Sequence, residues 1–129
     1  LPISKINIDI AISELYQVQP FDVLYLGANV VVPIKSITSH LAKVNAAWCL
    51  YAYILPKHMY DIILSYDWKN YLAIDSFFIS DIQKNYNCYI TAPLTSIQRA
   101  SFSDIENKDV DYSETIKYYF NAMLNKNDN

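Results

Sequence analysis

Glycine is almost missing from this chain. Gly27 is the only one in 129 residues, where average usage of about 7% would give roughly nine. A Walker A loop, a G-x-G-x-x-G turn, a G-x-S-x-G elbow and a zinc ribbon all need glycines that are not there. Arginine is nearly missing too: Arg99 stands beside nine lysines, and no two basic residues are adjacent. Nucleic acid binding needs clustered Lys and Arg to neutralise phosphates, so no nucleic acid partner is expected. An anionic membrane surface is disfavoured for the same reason. Long apolar runs are lacking as well. The uncharged stretches 23–34 and 44–56 fall short of the ~18–20 residues that cross a bilayer. The opening residues carry no basic segment followed by an apolar one, so no signal peptide is read in this sequence; the absent initiator Met suggests trimming, a step that would also remove such a peptide. Cysteine is sparse. Cys49 and Cys88 are far apart and are expected to be free thiols in a reducing, cytoplasmic compartment.

What is present is a folding composition. Hydrophobic residues make up 53% and charged residues 18%, which excludes a disordered chain and fits one globular domain over 1–129. The formal net charge is −3, which allows a basic protein partner. Isoleucine, asparagine, lysine and tyrosine are all over-used, a bias that AT-rich codons would also produce. The twelve tyrosines are the exception worth pursuing, because each brings a large ring and a hydroxyl that needs a partner or water.

Periodicity divides the chain. Ile6, Ile8, Ile10 and Ile12 alternate with Asn7, Asp9 and Ala11, which predicts a strand over 6–12; Ile3, Ile6 and Ile10 also fit a helical stripe. The apolar runs 23–26 and 30–34 flank Gly27-Ala28-Asn29 and read as a hairpin. Ile37, Leu41, Val44, Trp48, Ala52 and Leu55 step by three and four, predicting a helix over 37–55. Pro56 ends it and opens a short helix over 57–66 that buries Met59, Ile62 and Ile63. Asp67 is placed to cap a third helix, 68–86, with Trp68, Leu72, Ile79, Ile82 and Tyr86 on or beside its apolar stripe. Residues 88–91 read as a strand and 104–111 as an acidic loop. Asp111 and Glu114 resemble a capping box before a terminal helix whose inner face is Ile116, Tyr119, Phe120, Met123 and Leu124. Residues 125–129 are expected to fray. The expected fold class is α+β: a small antiparallel sheet, mainly N-terminal, packed against three to four helices.

Catalytic constellations are thin. His58 and Asp61 are three apart and able to touch on a helix, but no nucleophile or oxyanion loop accompanies them. His40 and Cys49 are out of phase for a shared metal, and no C-x-x-C, H-E-x-x-H or E-x-x-H occurs. Asp104, Glu106, Asp109, Asp111 and Glu114 place five carboxylates in eleven residues, yet neither register of an EF-hand loop fits them. No metal and no cofactor are therefore expected. Asp75, mid-helix beside aromatic residues, is the acid whose burial would demand a Tyr, Lys or backbone donor. Tyr51 and Tyr53 fall about 200° apart on a helical wheel, so at least one is expected to face away from the core.

These features suggest a binding protein rather than an enzyme, although acid/base catalysis needs no motif. The expected function is a small acidic protein-binding module, in form an inhibitor or immunity-type protein that occludes a basic partner protein. Its contact residues are Asp104, Glu106, Asp109, Asp111, Tyr112 and Glu114, with Tyr51 and Tyr53 as aromatic anchors. Two alternatives stand beside it. One is a ligand-binding or acid/base enzyme with a pocket lined by Tyr, Trp and Asp75; the other is a structural subunit of a homo-oligomer.

Overall fold

Ala11 and Leu15 lie one helical turn apart and both are buried, and that stripe decides the form of the N-terminal segment. In the computed structural model, which describes residues 5–18, 20–67, 69–70 and 73–126, Lys5–Gln17 is helix α1. The strand expected over 6–12 is thus corrected. β-branched Ile disfavours a helix by only a few tenths of a kcal/mol per residue, about what one packed contact restores.

Strand β1, Val23–Val30, runs straight through Gly27, so the hairpin expected there is absent from this segment. The helix expected over 37–55 is corrected as well. β2 (Lys35–Ser36) precedes that segment, which itself holds β3 (Leu41–Lys43) and β4 (Ala47–Ile54). After Pro56 a 3₁₀ turn at Lys57–Met59 leads into α2, Tyr60–Leu64, close to the short helix expected. Met59 is fully buried, and Ile62 and Ile63 pack on the core. The third helix is shorter than 68–86. It comprises α3 (Ile74–Phe77), a π-helical turn at Phe78–Ile82 and α4 (Gln83–Asn85). Trp68, Tyr71, Leu72 and residues 127–129 lie outside the described residues. Asp67 accepts the Lys69 N–H in a turn, while Ala73 precedes α3.

Strand β5 is Cys88–Thr91, as expected. The segment read as an acidic loop is instead the turn and second strand of a hairpin formed by β6 (Ser101–Ser103) and β7 (Lys108–Val110). Helix α5 is Ser113–Lys126, with Ile116 and Phe120 buried as expected and Tyr119 exposed. At its start Asp111 accepts bonds from the Ser113 N–H at 3.0 Å and Oγ at 2.7 Å. Glu114 pairs with Lys117 at 3.3 Å, so the first turn is closed by an Asx turn with Asp111.

The architecture is α+β, as the sequence predicts. The main sheet has five strands in the order β2-β3-β5-β1-β4. It is mixed, because β1 and β5 run parallel while the other pairs are antiparallel. One face carries Val23, Tyr25, Val30, Cys88 and Ile90 against Phe77, Phe78, Ile82, Ile116 and Phe120. Burial of each such large side chain contributes about 1.5–3 kcal/mol. The other face carries Leu24, Leu41 and Tyr89 against Ala11 and Leu15 of α1. Among the described residues no helix is long and apolar enough to cross a membrane.

Candidate functional site

The β6–β7 hairpin is short, paired Ser101 to Val110, Phe102 to Asp109 and Ser103 to Lys108. Its four-residue loop closes through Asn107, at φ 53°, a left-handed conformation that Asn adopts more readily than other non-glycine residues. The Glu106 N–H is held by Ser103 Oγ at 3.2 Å. Of its residues only Ser103 and Val110 are partly covered; the rest are exposed. At the loop Ile105 is 96% exposed, and Phe102 is 54% exposed.

The hairpin brings together several residues that the sequence singles out. Asp104, Glu106, Asp109, Asp111 and Glu114 are all exposed. Glu106 lies 3.8 Å from the Lys108 ammonium and accepts a short hydrogen bond from the Tyr112 hydroxyl. Tyr112 is half-buried and packs against the main core, so its contact with Glu106 anchors the loop to the body of the domain. The two hydrogen bonds from Ser113 hold the Asp111 carboxyl below the usual aspartate range.

Tyr51 and Tyr53 sit on β4, and both pack against the main core. The helical wheel that put one of them outward does not apply, because residues two apart on a strand share a face. Tyr53 makes tilted ring contacts with Tyr25 and Phe78, with centroids 6.2 and 5.7 Å away. The Tyr51 hydroxyl donates to the Ser96 carbonyl at 3.4 Å, and burial pushes its pKa up. Phe102 and Ile105 were missed by sequence reading. The signal was available: Ser-Phe-Ser and Lys-Asp-Val are short alternating runs on either side of a loop ending in Asn.

The other residues weighed for chemistry have definite partners. Asp75 Oδ2 accepts the Cys49 N–H at 2.9 Å, the backbone donor its burial requires. Cys49 is half-buried and bulged, at φ 67°; burial and the Asp75 charge raise its thiol pKa. Cys88 is buried, and desolvation pushes its thiol up to about 12. Both cysteines are free. His58 bonds Asp22 Oδ1 through Nε2 at 2.7 Å; the Asp22 Oδ2 accepts the Asn87 N–H at 2.7 Å. This pair ties the 3₁₀ turn to the sheet, in place of the His58–Asp61 contact.

His40 makes a second histidine–carboxylate pair. Glu14 of α1 accepts the Thr38 hydroxyl, the His40 N–H at 2.9 Å and His40 Nδ1 at 2.9 Å. Desolvation alone would raise the Glu14 pKa, but these bonds and the imidazole outweigh it and lower the value. The carboxylate fixes the ring with its proton on Nδ1. Among the described residues no group of three or more His, Cys, Asp or Glu is placed to hold a metal ion.

Comparison with protein-family models, with curated proteins and with solved structures gave no match to this chain. The functional reading therefore rests on geometry and chemistry alone.

Proposed function

We propose that this chain is a protein-binding module that presents the β6–β7 hairpin to a basic partner protein. The observation that carries this reading is the exposure of Ile105 and Phe102 within a hairpin whose charges are Asp104, Glu106 and Asp109 against Lys108. Such side chains gain about 1.5–3 kcal/mol each on full burial, a reserve that this fold leaves unused. Apolar anchors inside a charged rim are the usual anatomy of a contact patch, with the anchors setting residence time and the charges setting association rate. A partner that fits has an apolar pocket rimmed by Lys or Arg. An inhibitor of the immunity type, closing the cleft of a basic enzyme, is the form that best matches this chemistry. Two free thiols fit work in a reducing compartment such as the cytoplasm.

The test is capture from the source cell by the immobilised chain, beside a Phe102→Ala/Ile105→Asp variant. Basic proteins held by the native chain, released by salt and lost with the variant support the reading. Equal capture by both chains contradicts it.

A further inference from the structure

The two faces of the main sheet are covered unequally. On one face Met59, Phe77, Phe78, Ile82, Ile116 and Phe120 hold the strands from three segments of the chain. On the other face the buried residues that α1 supplies are Ala11 and Leu15, against Leu24, Leu41 and Tyr89. The two buried clusters have no residue in common.

Helix α1 is also weakly held by its own sequence. Ile8, Ile10 and Ile12 are β-branched, which lowers helix preference, and none of them is fully buried. Isolated helices of about 12–15 residues are marginal in water, and α1 has 13. The packing beneath it is incomplete. A cleft of about 170 Å³ opens between Ile12, Leu15 and Tyr16 of α1 and Phe21, Leu24 and Ile54. Side chains that line such a space forgo the dispersion contacts of a filled interface.

Polar contacts concentrate at one point. Among the described residues Glu14 is the one α1 side chain hydrogen-bonded to another element. It accepts the Thr38 hydroxyl, the His40 N–H and His40 Nδ1. One carboxylate thus fastens α1 to the β2–β3 connection, beside the buried Leu15.

We propose that α1 is a latched lid: it opens from the sheet as a unit while the main core stays folded, with the Glu14 carboxylate as the latch. Stability is not uniform across a fold, and elements with few buried contacts open at lower cost than the whole. Strands β1, β3 and β5 keep their mutual hydrogen bonds in the open form, because none of those bonds involves α1. Opening turns a narrow cleft into an apolar sheet face carrying Leu24, Leu41 and Tyr89. The closed lid keeps that face out of water, and whatever releases Glu14 exposes it.

Native-state amide hydrogen exchange at low denaturant concentrations tests this. The hydrogen-bonded amides of residues 9–17 should exchange about tenfold or more faster than the slowest amides of β1 and β5. Their exchange should depend only weakly on denaturant, because little surface is exposed in the opening. Ile116→Val weakens the main core, away from α1. It should speed exchange in β1 and β5 and leave α1 unchanged, because residue 116 stays packed when the lid opens. Glu14→Gln should speed exchange in α1 about tenfold or more. The proposal is overturned if α1 shows the protection and denaturant dependence of β1 and β5 and follows Ile116→Val with them, for it then unfolds only with the whole chain. Unprotected α1 amides overturn it too, since no lid is then closed. So does α1 exchange that Glu14→Gln leaves unchanged, since Glu14 is then no latch.

Discussion

Gln83 binds Ala47 at both main-chain groups. Its Oε1 accepts the Ala47 N–H at 2.7 Å and its Nε2 donates to the Ala47 carbonyl at 3.0 Å. A side-chain amide thus stands where a neighbouring strand would be. Nε2 also donates to the Tyr25 hydroxyl at 2.8 Å; burial pushes this phenol's pKa up, and the Gln83 bond offsets part of the rise. Gln83→Ala leaves a buried N–H, C=O and hydroxyl without partners. The expected loss is about 2–4 kcal/mol, with more association through the opened edge. Urea unfolding and light scattering on one sample measure both.

Glu14 links α1 to the β2–β3 connection, and its pKa is depressed below the ordinary glutamate value of 4.5. A depressed carboxyl stabilises the fold fully above the unfolded pKa, and that stability is lost as pH falls through the folded value. Acid should therefore loosen α1 below about pH 4.5. Glu14→Gln should be less stable at pH 7, by about 1–3 kcal/mol, and should lose less between pH 6 and pH 3 than the native chain. Thermal melts at the two ends of that range decide it.

Gly27 is needed for space. A Cβ there would lie 2.3 Å from the Ser96 carbonyl oxygen and 2.5 Å from the Tyr51 hydroxyl oxygen. Gly27→Ala should lower stability by about 1–3 kcal/mol or more. Adding Tyr51→Phe removes the hydroxyl but not the Ser96 backbone, so it should restore only part of the loss. The midpoints of the single and double variants show whether it does.

These residues also mark what could be read without coordinates. Helix α5 was legible because Asp111 starts it and Ile116, Phe120 and Leu124 recur at helical spacing. Met59, Ile62 and Ile63 were legible behind Pro56 for the same reason. β4 was not. Its inward residues face a core that also reaches past its bulge, so alternation is broken at Cys49, and Trp48, Ala52 and Leu55 fall by chance at helical steps. What makes it a strand is pairing with Val23–Val30, a non-local fact. In the candidate site the acidic residues were legible as charge, whereas Phe102 and Ile105 were passed over because three-residue alternating runs on either side of a polar turn give only a weak strand signal.

The thiols offer a separate check. Cys88 is buried with its pKa pushed up to about 12, and the Cys49 thiol is raised as well. Both should react slowly with a thiol reagent in the native chain, Cys88 more slowly than Cys49. Two equivalents should appear on unfolding, with or without prior reduction. A reductant-dependent count would contradict the free state of the pair.

The most direct measurement for the binding account is association kinetics with the captured basic partner over a range of salt. Asp109→Asn with Asp111→Asn should slow association and flatten its salt dependence while the fold is kept, since an Asn side chain retains the oxygen that accepts the two Ser113 bonds and the exposed Asp109 charge contributes little to stability. Ile105→Ala should leave association nearly unchanged and speed dissociation about thirtyfold, the equivalent of about 2 kcal/mol at an anchor. If neither rate changes in either variant, the hairpin is not the contact element and the account is wrong.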